Sequence, residues 1–143
     1  MNHHSGAKSV TKAAASVAAN ATHSHEIDTA GFKYASIDVV FSPFTAATSS
    51  YASVLKVQES DTAGSQQADV TGLSVTAGAG STTGANVGAV ARFNIDLRGR
   101  KRYLTVVTSP GNTVAVVTSA RLSKAEQHAV TATESGVNNV ASL

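Results

Sequence analysis

The sequence predicts an all-β protein: an antiparallel β-sandwich or jelly-roll-like barrel with extended N- and C-terminal arms. Three observations carry this. Ala, Ser, Thr, Val and Gly dominate the 143 residues, and Val and Thr suit pleated strands while Gly and Ser suit turns. Apolar and polar residues alternate at period two in several separate segments. Gly, Pro, Asn and Asp clusters stand between those segments, as expected of short strands joined by turns.

The N-terminal stretch GAKSVTKAAASVAAN has Ala-rich helix propensity, but Val10 and Val17 make too thin an apolar stripe for a stable isolated helix. Residues 1–30 therefore read as an arm or a first strand. It has no Leu, Ile or Phe before Ile27, so it lacks the apolar centre of a secretory signal and reads as mature sequence.

The core reads as residues 31–123. The turn DTAG leads into FKYASIDVVF, where Ala35, Ile37, Val39 and Phe41 share one face. Pro43 ends that strand, and small polar residues form a loop. SYASVLKVQESD follows, with Leu55 and Val57 on a common face. ADVTGLSV is irregular and reads as a bulged strand. AGAGSTTGAN has no periodicity and reads as a surface loop. Alternation returns with Ala91, Phe93, Ile95 and Leu97, then with Leu104 and Val106, then with Val114, Val116, Thr118, Ala120 and Leu122. About six strands are expected. The turns RGRK and PGN suggest that the last three form an antiparallel meander. Residues 124–143 carry little apolar bulk and read as a C-terminal arm, with one helical turn near SKAEQ.

Composition excludes several functions. No Cys is present, so disulfide and thiolate chemistry are absent. No run of 18 apolar residues exists, so no transmembrane helix is expected. A formal net charge of +2 is too small for a nucleic-acid surface. No metal or other cofactor is expected. His23 and His25, at i and i+2, would share a strand face and suggest a metal pair. Glu26 points the other way, however, and the remaining distant histidine, His128, lies in the tail; a solvated segment is the plainer reading. No Ser sits in a G-x-S-x-G elbow, no carboxylates pair as in glycosidases, and the Gly-rich loop lacks a Lys-Ser/Thr ending. No catalytic residues are assigned, and an enzyme is not expected.

One cluster remains. Arg98, Arg100, Lys101 and Arg102 put four of the eleven basic residues into five positions of a sparsely charged chain. Like charges this close repel. Such a turn either faces a partner's carboxylates, where Arg binds bidentately, or is satisfied by acids of its own chain such as Asp96 or Glu126. The four are the candidate contacts to a partner or to another subunit.

The segments IDTAGFKYASIDVVF, LKVQESDTAGSQQADVTGLSV, FNIDLRGRKRYLTVV and ARLSKAEQHAVTA occur in this order. Together they resemble the small capsid decoration, or cement, proteins of tailed phages. Those proteins show a similar DTAG strand entry, a KVQESD segment, an IDLRGRKRYL hairpin and an LSRAEQ stretch. The likeness covers roughly residues 26 to 132, with LRGRKRYL and KVQESD the most specific pair. The Ala-rich start and the final HAVTA depart from the pattern. The resemblance implies a non-enzymatic virion component that binds the outside of the major capsid protein lattice and stabilises the head. It would form a homo-oligomer, a dimer or trimer, and lie in the host cytoplasm during assembly. The alternative is a ligand- or carbohydrate-binding β-sandwich, such as a fibre or receptor-binding module, with Tyr34, Tyr51 and Tyr103 as stacking platforms.

Overall fold

The computed structural model describes residues 6–43, 51–75 and 88–124, which form eight strands and no helix. The strands are β1 (Ala7–Val17), β2 (His23–Asp28), β3 (Tyr34–Phe41), β4 (Ala52–Ser60), β5 (Ala68–Ser74), β6 (Ala89–Asp96), β7 (Tyr103–Pro110) and β8 (Val114–Ser123). They make two four-stranded sheets, in the orders β1-β8-β3-β6 and β2-β7-β4-β5. Every pairing is antiparallel.

The order has a simple logic. β1 pairs with β8, β2 with β7, β3 with β6 and β4 with β5. The first half of the chain thus lies against the second half in reverse, and this ribbon is wrapped over two sheets. That is a jelly-roll sandwich, with the apolar side of each strand turned into the space between the sheets.

Two expectations are corrected. β6, β7 and β8 do not form a meander: β7 lies in one sheet, and β6 and β8 lie in the other. Period-two alternation fixes which side of a strand is buried, but not which strand it meets. The first thirty residues contain two strands, so the sandwich reaches back to Ala7 and has eight strands where about six were expected. The signal there was weak because β1 is an edge strand whose inward row is Lys8, Val10, Lys12 and Ala14, opposite Leu122, Ala120, Thr118 and Val116 of β8. The central loop 76–87, most of the loop before β4 and the tail from residue 125 lie outside the described residues.

The core follows the alternation. Phe41, Ile37 and Val39 of β3, Val57 of β4, Leu104 and Val106 of β7, and Val116 and Leu122 of β8 are fully buried, as is Ile27 of β2. Burying side chains of this size stabilises by about 1.5–3 kcal/mol each relative to exposure. β5 is irregular as expected: its pairing with β4 shifts between Lys56 and Gln58, and Gly72 adopts φ 85°. Gly88 enters β6 so close to β3 that a Cβ there would lie 2.6 Å from the Phe41 carbonyl oxygen, so no larger residue fits without moving backbone. The β2–β3, β4–β5 and β6–β7 connections and the end of β8 gather at one end of the sandwich.

Candidate functional site: a charged rim

That shared end holds the basic turn. Leu97 closes the end of β6 by donating its N–H to Lys33 O, and Arg100 N–H bonds back to Leu97 O across Gly99, which adopts φ 80°. The left-handed conformation suits glycine. The turn projects its four basic side chains over the neighbouring connections, and each meets an acid of this chain. Arg98 grips Asp96, with Nε 3.0 Å from Oδ1. Arg100 Nη1 lies 3.6 Å from Glu59 Oε2, and Lys101 Nζ lies 3.7 Å from Asp61 Oδ2. Arg102 clasps Asp28 bidentately, at 2.9 and 2.8 Å.

Backbone bonds brace the same groups. Lys101 N–H donates to Glu59 Oε2, and Ala30 N–H donates to Asp28 Oδ1. Both the N–H and the hydroxyl of Thr29 donate to Arg102 O. The β4–β5 loop reaches across to β2, where Gly64 N–H donates to Glu26 Oε2. The bidentate Arg102 holds the Asp28 carboxyl below its ordinary pKa. Arg98 brings Asp96 down to about 2, through its side chain first and its N–H second. Both guanidiniums are held correspondingly more firmly charged.

The basic residues stand out in the sequence as a cluster, but of their described partners only Asp96 does; Glu126 lies outside the described residues. Asp28, Glu59 and Asp61 did leave a signal. Each sits at or just past a strand end, in DTAG or QESD, and all strand ends of one parity share this rim. Three segments that lie far apart in the sequence are therefore joined to one another here: DTAG through Asp28, KVQESD through Glu59 and Asp61, and LRGRKRYL through its four cations.

The tyrosines are engaged locally. Arg98 and Lys124 lie over the Tyr34 ring, at 5.6 and 4.9 Å from its centroid, and Arg102 lies 5.0 Å from that of Tyr103. Tyr51 packs against Phe41 with ring centroids 5.4 Å apart. An open depression beside the rim is bounded by Tyr34, Ser36, Asn94, Asp96 and Ser123.

His23 and His25 are not a solvated segment. They point inward from β2 and are 6% and 5% exposed. His23 Nε2 and His25 Nδ1 are buried without a hydrogen-bond partner. Burial, and next the nearby Lys12 ammonium, lower both pKa values, that of His25 to about 4. Glu26 points to the opposite face. Among the described residues no group of three or more His, Asp or Glu is placed to hold a metal.

Comparison with protein-family models and with curated proteins gave no match.

Proposed function

We propose that this chain is a structural virion protein, a decoration or cement protein that binds the outside of the major capsid protein lattice and stabilises the head. The observation that carries the reading is the convergence of three of the four resembling segments on one rim. In sequence they are scattered between Asp28 and Arg102; in the fold they form one continuous surface of alternating charge. Much of that surface faces solvent, with the Arg98 side chain 67% and the Asp61 side chain 72% exposed.

A rim of paired charges suits attachment to a large polar surface. Its cations are aimed in advance by their acids, so less side-chain freedom is lost on binding. Any one contact of this kind is weak and screened by salt, but many copies on a lattice add up.

The test is co-sedimentation of the purified chain with phage heads that lack it. Binding is expected, and it should weaken as salt rises. Replacing Arg98, Arg100 and Arg102 by Ala should reduce attachment more than it lowers the melting temperature of the free protein. Wild-type chain that stays in the supernatant with intact heads sinks the reading. A triple variant that melts early yet attaches fully makes the rim structural only.

A further inference from the structure

Each sheet has two edge strands, and exposed edges invite pairing with another chain unless they are blocked. Three of the four edges here carry blocks. β1 is irregular between Ala14 and Val17 and turns Lys8 and Lys12 inward; Lys12 Nζ donates to Ser24 O of β2, bridging the two sheets. β2 has only six residues and is the strand so bridged. β5 is broken in register and kinked at Gly72. β6 differs. It pairs with β3 in unbroken register from Ala89 to Asp96, holds no proline, and turns only Ala89, Ala91, Phe93 and Ile95 inward. Among the described residues nothing pairs with its other side.

The direction of its free backbone groups is fixed. Leu97 N–H donates to Lys33 O, one step beyond the Tyr34–Asp96 pair. Hydrogen-bonded pairs alternate along an antiparallel ladder, so the odd residues of β6 bond to β3. Ser42 N–H donating to Ala115 O agrees, since it gives the even residues of β3 to β8. The N–H and C=O groups of Val90, Arg92, Asn94 and Asp96 therefore face outward from the edge.

We propose that β6 pairs with β6 of a second copy of this chain, antiparallel across a two-fold axis at Asn94. The register follows from charge. Centred on Asn94, Arg92 stands opposite Asp96 of the second copy, twice by symmetry, and Phe93 stands opposite Ile95. Centred on Phe93, Asp96 would face Val90; centred on Arg92, two arginines would oppose each other. Only the Asn94 centre matches opposite charges, and these side chains are available on the outer face: Arg92 is 61% and Asp96 44% exposed. Their present partners, Asp38 and Arg98, would extend each cross-strand pair into a longer network. Val90, 61% exposed, is the most exposed large apolar side chain described and lies on this same strand. The two jelly rolls would then share one eight-stranded sheet. The pairing does not depend on the capsid reading and is measured without a capsid.

Sedimentation of the full chain over a wide concentration range tests it. A dimer in equilibrium with monomer is expected. Asn94→Pro removes an N–H that no strand within the chain uses, a position an edge strand tolerates. It should leave the circular dichroism spectrum unchanged and weaken the dimer by at least about tenfold. Hydrogen exchange at Arg92, Asn94 and Asp96 should slow as wild-type concentration rises, a readout that holds even if the proline variant fails to fold. A wild-type chain that stays monomeric, a folded Asn94→Pro variant that dimerises as wild type does, or protection of those amides that ignores concentration overturns the proposal.

Discussion

The two inward histidines of β2 are the residues at which this fold is most exposed to acid. The unfolded chain takes up a proton at His25 near the ordinary value of 6.5, while the folded chain resists until about 4. Between those limits the unfolded state holds more protons, so stability falls as pH drops through the window and levels off below it. His23 adds in the same direction. The paired aspartates, Asp28, Asp38 and Asp96, are held low by their arginines and lose their contribution only at more acidic pH. Urea unfolding of wild type at neutral pH and at pH values approaching 4 should therefore show a marked loss. His25→Leu should flatten much of that slope, because the site then has no proton to take up and leaves no orphaned nitrogen. A wild-type stability that is level across this window would show that the imidazoles sit in a wetter place than β2 gives them.

At the scale of the element, the rim reinforces the ends of ladders that already exist, those of β2 and of β4 with β7. Arg102, just before β7, holds Asp28 at the end of β2 and crosses above Tyr103. Both side chains are about half exposed, so the pair is worth little on its own. A double-mutant cycle of Arg102→Ala and Asp28→Ala, read by thermal unfolding, should give a coupling energy of about 0.5–1 kcal/mol that shrinks with added salt. Leu122→Ala, in contrast, empties a fully buried site between the sheets and should cost about 2–5 kcal/mol regardless of salt. The contrast also explains what the sequence could and could not show. The buried faces of β3, β6 and β8 were legible because each alternates between inward and outward positions along its length, and that of β7 because Leu104 and Val106 mark it although both of its faces are largely covered. β1 and β2 were not, because their inward rows include lysines and histidines that edge positions tolerate. The rim's cations were visible as a local cluster. Their acids were visible only as strand-end residues, since Asp28 and Arg102 lie far apart in sequence and meet only through the topology.

The whole molecule is held by pairings across the middle of the chain. β1 pairs with β8, β2 with β7, β3 with β6 and β8, and β4 with β7. Among the described residues, only the pair of β4 with β5 joins strands that follow one another in the chain. Ala7 must find Ser123 before the β1-β8-β3-β6 sheet is complete. Loop-closure entropy is therefore spent before most apolar burial is gained, which places refolding toward the slow end for small domains, in the millisecond-to-second range or beyond. The same arrangement makes the fold indivisible. A fragment of residues 1–75 keeps β1 to β5 but loses every partner of β1, β2 and β3. A two-stranded β4–β5 pair is marginal in water. The fragment should be unfolded by circular dichroism, without a thermal transition. Adding a second fragment that carries β6 to β8 should restore sheet signal, because the missing partners then return as a set. A fragment of residues 1–75 that melts cooperatively by itself would mean that the first five strands own a core without the last three, and the interleaved order of both sheets leaves no place for one.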